Sequence, residues 1–286
     1  MVAGGEEGTL GLVTSPLHAS TLLEALTLEQ LDRDLYRGIN VEAWGPALYG
    51  GQVAAQSLAA AAATVDPDRL PHSLHGYFLR RGRQDLPVIF EVDRDRDGGS
   101  FSSRHVAAKQ DGEVIFSMLS SFQRTSDEEW PSLDPEIVPF EPPDYGTMEV
   151  REDILMTIMD RPAPAPDDEI DDVNEYLRLK STHPLGDDPI IQASALVYLS
   201  DLGSGFRRVF LEGLFNGGPS IDHLVYFHEP VRADDWVTLQ MWPSASRSRR
   251  GFYLGHMRGS DDELAAVIGQ ECLLHQRGKE PNYGRN

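Results

Sequence analysis

Gly50-Gly51-Gln52-Val53-Ala54-Ala55-Gln56-Ser57-Leu58-Ala59-Ala60-Ala61-Ala62-Ala63 is the stretch from which the fold is read. Alanine has the lowest cost of any residue in a helix, and the paired glycines mark an opening, so the run predicts a helix from Gly50 to Ala63. Its small side chains let a sheet pack closely against it. Alternating or apolar segments follow at Ser73 to Leu79, Pro87 to Arg94, Gly99 to Gln110 and Val114 to Arg124, broken by Asp97-Gly98 and Asp111-Gly112. The implied order is a helix and then an antiparallel meander.

That order returns later in the chain. Asp187-Asp188-Pro189 is a helix start in which Asp caps the free amides and Pro is preset for the first turn. Ile190, Ser194, Val197, Tyr198 and Asp201 then share one helical face, and Gly203 and Gly205 end the helix. Strand-like segments follow at Ser220 to Glu229, Trp236 to Trp242, Gly251 to Gly259 and Leu264 to His275, with Asp261-Asp262 as a turn. Tyr77-Phe78 aligns with Tyr226-Phe227, Val88 with Val237, Phe101 with Phe252, Asp111 with Asp261 and Gln123 with Gln270, at an offset of 147 to 151. A helix followed by several strands at a nearly fixed offset is a duplication.

The expected class is therefore α+β, with two tandem domains at residues 20–125 and 176–280, each a helix wrapped by an antiparallel sheet. Thr27, followed three residues later by Gln30, predicts an early helix start. Residues 1–19 are Gly-rich and read as a flexible start. Residues 126–175 carry Pro131, Pro135, Pro139, Pro142, Pro143, Pro162, Pro164 and Pro166 among many acidic residues, and read as a linker or crossover.

In the 286 residues, 40% are hydrophobic and 25% charged, enough apolar material for a core. A formal charge of −21 argues against nucleic acid and anionic membranes as partners, since both would repel the chain at long range. The longest apolar stretches, such as Ala54 to Val65, are too short to span a bilayer, and no basic region precedes an apolar run at the N-terminus. Cys272 is the single cysteine, so neither an internal disulfide nor a Cys-based zinc site can form. With a C-terminus of Tyr283-Gly284-Arg285-Asn286, which is not the peroxisomal Ser-Lys-Leu, the expectation is a soluble, cytoplasmic protein.

Asp201 places a carboxylate where its helical face calls for a buried residue. Burial of an unpaired charge is costly, so Asp201 has donors nearby or a raised pKa, or else it caps a neighbouring loop. Strict alternation from Ser220 puts Asp222, Leu224 and Tyr226 on its side of the strand, and Ile221, His223, Val225 and Phe227 on the other. His223 then points away from Ser220, and Ser220, Asp222 and His223 form no local triad. The chain has no Gly-x-Ser-x-Gly nucleophile elbow either. Gln270 shares a mid-strand face with Ile268, Cys272 and Leu274, where a buried amide needs partners; Cys272 reads as a small core residue.

Tyr49-Gly50-Gly51-Gln52-Val53, His72-Ser73-Leu74-His75-Gly76-Tyr77-Phe78-Leu79-Arg80, Asp97-Gly98-Gly99-Ser100-Phe101-Ser102-Ser103-Arg104, Ser200-Asp201-Leu202, Ile221-Asp222-His223 and the strand through Gln270 together resemble the acyl-CoA thioesterase II family, from about Leu28 to His275. The resemblance implies a double hotdog fold, an acyl-CoA substrate and a homodimer. It also implies a catalytic trio of Asp, Thr or Ser, and Gln that activates water, falling here on Asp201, Ser220 and Gln270. No cofactor or metal is implied, and His223 and His228, five apart on a strand, fall on opposite faces.

Two arginine clusters, Arg80-Arg81-Arg83 and Arg247-Arg249-Arg250, are candidates for CoA phosphates or ordinary solvated loops. Gly50 and Gly51 are candidates for exposing backbone amides to a thioester oxygen or phosphate. Trp44, Tyr49, Phe78 and Tyr226 are candidates for lining an acyl channel. Competing functions are an enoyl-CoA hydratase, for which Asp187, Asp188 and His183 are the nearest acid-base set, and a non-catalytic acyl-CoA-binding module.

Overall fold

The computed structural model describes residues 18–41, 47–126, 144–160, 174–207 and 215–276. In the first half β1 (His18–Ala19), α1 (Leu22–Leu26), β2 (Glu29–Asp32), β3 (Leu35–Gly38) and β4 (Asn40–Val41) lead to α2 (Gly50–Ala62). Then come β5 (Arg69–Phe78), β6 (Val88–Asp97), β7 (Phe101–Gln110) and β8 (Glu113–Arg124). The second half runs through β9 (Glu149–Glu152), β10 (Met156–Asp160), β11 (Glu175–Ser181) and α3 (Pro189–Ser200). It ends with β12 (Phe215–Ser220), β13 (Asp222–Phe227), β14 (Val237–Arg247), β15 (Arg250–Arg258) and β16 (Leu264–Gln276).

Among the described residues fourteen strands form one sheet in the order β2-β3-β6-β7-β8-β5-β13-β16-β15-β14-β11-β10-β9, with β12 also on β16. The two halves join at its centre, where β5 and β13 run antiparallel and pair Gly76 with His223 and Leu74 with Val225. α2 lies on β5 to β8 and against α3, so the helices meet where the half-sheets meet. The apolar interior includes Leu58, Phe90, Phe116, Met118 and Phe122 from the first half, and Leu179, Leu199, Met241, Met257 and Ile268 from the second. Each such side chain, fully buried, contributes about 1.5–3 kcal/mol.

α2 is buried along nearly its whole length, and its polar residues are satisfied. The side-chain amide of Gln56 donates to the carbonyls of Ala25 and Ile39, both at 2.8 Å, while Gln52 accepts from the Val41 amide at 3.1 Å and donates to Asn40 at 3.0 Å. These bonds fasten the preceding segment to the helix.

Two expectations need correction. The early helix is Leu22–Leu26, capped by Thr21, which accepts from the Glu24 amide, while Glu24 reaches back to Ser20. The Thr27 and Gln30 pair fails as a start because Glu29–Asp32 pairs with β3 as an edge strand. Residues 126–175 are also more than a linker: β9 and β10 lie within them and extend the second half-sheet beyond β11. These strands are short, and β9 is fully exposed and mostly charged, so the surrounding prolines masked them. All eight of those prolines, and residues 1–17, lie outside the described residues.

Candidate active site

Asp201 terminates α3, where the carbonyl end of its own helix disfavours a negative charge. Its carboxylate is held by the opposite end of another helix, through a hydrogen bond from the Gly51 amide in the first turn of α2. Tyr49, which precedes α2, gives the helix no side-chain cap, so the Gly51 amide is left for Asp201. The Tyr49 hydroxyl instead donates to the Tyr198 carbonyl at 2.8 Å, and the two rings stand 5.0 Å apart, locking the helix ends together. A Cβ at Gly50 would lie 2.7 Å from Asp201 Oδ2 and 2.9 Å from the Phe78 ring, so only glycine fits beside this carboxylate.

Ser220 and Gln270 reach the same point from β12 and β16. The Ser220 hydroxyl donates to Asp201 Oδ1 at 3.5 Å, and Gln270 Nε2 donates to both the Ser220 hydroxyl and Asp201. Burial pushes the Asp201 carboxyl above its ordinary value, against the opposing pull of His223, Gln270, the Gly51 amide and Ser220. A margin of solvent access remains at Asp201, so water can reach a carboxylate made more basic than usual.

His223 is the residue that strict alternation misplaced. Between the pairings Ser220 with Cys272 and Leu224 with Gly269, one strand advances four residues and the other three. This bulge reverses the side-chain alternation. His223 is fully buried, with Nδ1 against Gln270 Oε1 and Nε2 2.7 Å from the Ser200 hydroxyl. An amide oxygen only accepts, so His223 donates through Nδ1 and turns the Gln270 NH₂ toward Ser220 and Asp201. The sequence signal was the adjacency of His223 to Ser220; the bulge was the hidden part. Asp222 takes no part, since it bonds His75 at 3.1 Å and the Glu271 amide at 2.7 Å.

The duplication does not duplicate the site. In the ladders Ser120 stands opposite Leu74 and Arg104, while Gln270 stands opposite Tyr253 one position from the Leu224–Gly269 pair. The counterpart of Gln270 is therefore Ser120, not Gln123. Leu74 occupies the place of His223. At the other helix start Asp188 caps α3 itself, accepting from the Ile190 amide at 2.8 Å, so those amides are already engaged.

The arginine clusters lie away from the trio. Arg80 pairs with Glu113 at 2.9 Å and Arg250 with Glu271 at 3.1 Å, while Arg81, Arg247 and Arg249 are exposed. Arg80 and Arg81 come just after Phe78 at the end of β5, and the second cluster spans the turn between β14 and β15, where the Arg249 carbonyl accepts from the Leu274 amide on β16. Of the channel candidates, Tyr49 and Phe78 adjoin the site, Tyr226 is exposed on the opposite sheet face, and Trp44 lies outside the described residues. Cys272 is buried, and burial pushes its thiol up to about 11, the property of an inert core residue.

Family models for the acyl-CoA thioesterase N-terminal domain and C-terminal domain match residues 40–123 and 128–274. The chain belongs to the acyl-CoA thioesterase family. It is accordingly a thioester hydrolase. It is 31% identical to acyl-coenzyme A thioesterase 8 of Rattus norvegicus, over 93% of this chain and 92% of that protein. The crystal structure of an acyl-CoA thioesterase II, TesB2, from Mycobacterium marinum is 34% identical, with a TM-score of 0.70 over 91% of this chain and 99% of that one. A hot dog fold protein from Alicyclobacillus acidocaldarius, 21% identical, superimposes with a TM-score of 0.71 over 91% and 98% of the two chains. The family's architecture here is the double hotdog, two helices enclosed by one continuous sheet.

Proposed function

We propose that the chain hydrolyses acyl-CoA thioesters to a free fatty acid and CoA, using water activated by Asp201, Ser220 and Gln270. The observation that carries this reading is the convergence of these three side chains with the Gly51 amide of the opposite half on one carboxylate whose burial raises its basicity. Asp201 accepts a proton from water as the water oxygen bonds to the thioester carbonyl carbon. The carbon–sulfur bond then breaks, and the departing sulfur takes the proton from Asp201, leaving acid and thiol. General-base assistance of this kind contributes about 10²- to 10⁴-fold.

The Gln270 amide offers two donors, for the water or for developing negative charge. Its amide hydrogens face Ser220 and Asp201, and its oxygen faces His223, which supports an orienting role instead. The Gly51 amide is taken by Asp201, so the Gly50 amide at the uncapped start of α2 is the one that supports a place for the thioester oxygen there. Arg80, Arg81, Arg247, Arg249 and Arg250 remain the candidates for CoA phosphates, supported by their exposure at strand ends that lead from the site.

Residues 20–125 make one hotdog unit, and the second extends backward from 176 to take in β9 and β10. Two copies associate through the outer face of the central strands, where Tyr77, Leu119 and Tyr226 are exposed on adjacent strands. Edge pairing is less favourable, because the edge strands β2 and β9 carry Glu29, Asp32, Glu149, Arg151 and Glu152. Sizing by light scattering tests this.

The deciding experiment is release of free CoA thiol from a panel of acyl-CoAs. Thiol release without hydration of a crotonyl-type substrate is expected. Hydration without thiol release would favour the hydratase, although Asp188 is engaged as a cap and Asp187 with Arg232 at 2.8 Å. Binding with neither reaction would favour a non-catalytic module.

A further inference from the structure

Tyr253, mid-strand on β15, lies directly opposite Gln270 on β16. Its side chain is fully buried, with Gly205 against its ring and Phe206 at 6.4 Å, yet its hydroxyl has no hydrogen-bond partner among the described residues. A buried hydroxyl left unpaired costs about 1–3 kcal/mol, and phenylalanine would fill the same space without that cost. An orphan of this kind within a site calls for a partner that arrives from outside.

The duplication shows where the hydroxyl is directed. Tyr253 stands between Pro243 and Gln270, and Arg104 stands correspondingly between Arg94 and Ser120 in the first half. Arg104 reaches the far end of its own helix, donating to the Thr64 hydroxyl at 2.7 Å and the Thr64 carbonyl at 2.9 Å just beyond α2. The equivalent place in the second half is the end of α3, occupied by Asp201. Burial pushes the Tyr253 phenol well above the ordinary tyrosine value, with the nearby Asp201 charge adding to it. The group therefore keeps its proton and is a donor.

We propose that Tyr253 is a catalytic residue whose hydroxyl donates a hydrogen bond to the thioester oxygen of the bound acyl-CoA, strengthening as negative charge develops on it. This rests on the thioesterase reading and adds a donor to it. The hydroxyl meets the requirement that Gln270 cannot, since both amide hydrogens of Gln270 are committed. It is unpaired without substrate because its acceptor belongs to the substrate.

Tyr253→Phe removes one oxygen atom and keeps the ring. Loss of one donor to a developing oxyanion predicts a fall in kcat of about 10²-fold with KM little changed. The melting temperature should equal or exceed that of the wild type, because an unpaired hydroxyl has been deleted. A kcat within twofold of wild type would overturn the proposal. So would a fall in activity accompanied by a clear drop in melting temperature, which would mean that the hydroxyl serves a structural bond. If the wild-type chain releases no CoA thiol, the thioesterase reading fails and the proposal falls with it; an active wild type beside an unimpaired Tyr253→Phe overturns the proposal alone.

Discussion

The Asp201 carboxylate at the end of α3 accepts a hydrogen bond from the Gly51 amide at the start of α2. One half of the chain thereby supplies the charge and the other half the dipole that steadies it. Asp201 sits badly on its own helix and well against its neighbour's, so the site exists only where the two halves meet.

The first consequence concerns Gly50. A methyl group there would press on Asp201 Oδ2 and on the Phe78 ring. Gly50→Ala should shift the carboxylate and lower kcat/KM for acyl-CoA by about 10²-fold, the cost of a misplacement near 1 Å. Activity within twofold of wild type would show that the carboxylate has room to spare.

A second follows from burial of Asp201. Its folded pKa is raised, so the stability tied to its neutral form is fully present below the unfolded value and is lost as pH rises through the folded one. Asp201→Asn should therefore melt at or above the wild type at pH 8, with the gap closing on acidification. The kcat/KM of the wild type should fall with decreasing pH, at a midpoint above the ordinary aspartate value of 3.8. Thermal scans across pH check the sign, and a variant that is least stable relative to wild type at pH 8 would contradict it.

His223 meets Gln270 through Nδ1 and sets the direction of its amide. His223→Leu removes the donor that orients the amide, and should reduce kcat by roughly tenfold or more while KM changes little, since general-base help depends on alignment. His223→Asn keeps an N–H close to the Nδ1 position and should recover part of that loss. Equal activity in the two variants would mean that burial, not the hydrogen bond, explains the residue.

Ser220 meets Asp201 and Gln270 through its hydroxyl. Ser220→Thr retains the oxygen and restricts its rotamer, so thiol release should stay within a few-fold of wild type. Ser220→Ala should fall by about 10- to 10²-fold, as expected for an oriented-water site missing one contact. If alanine were tolerated, the contacts to Asp201 and Gln270 would have no kinetic role.

The alanine-rich helix and the paired meanders were legible because small side chains, alternation and Asp-Gly turns act locally. Asp201 was legible for a related reason: a carboxylate on an apolar helical face breaks the period. His223 was not, since one extra residue between Ser220 and Leu224 reverses which side of the strand a residue occupies, and no local pattern marks that bulge. β9 and β10 were hidden because their place in the sheet comes from pairing with each other and with β11. The Gly51 contact depends on packing between helices far apart in sequence. Tyr253 was overlooked because a buried tyrosine in a strand looks like core until its hydroxyl is seen to lack a partner.

The most direct test is thiol release by Asp201→Asn, with its circular dichroism matched to the wild type and its melting temperature no lower. Asparagine keeps the shape and the contact with Gly51 but cannot accept the water proton. A loss of about 10²- to 10⁴-fold in kcat is predicted. A folded Asp201→Asn that turns over within a few-fold of wild type would contradict the role assigned to this carboxylate.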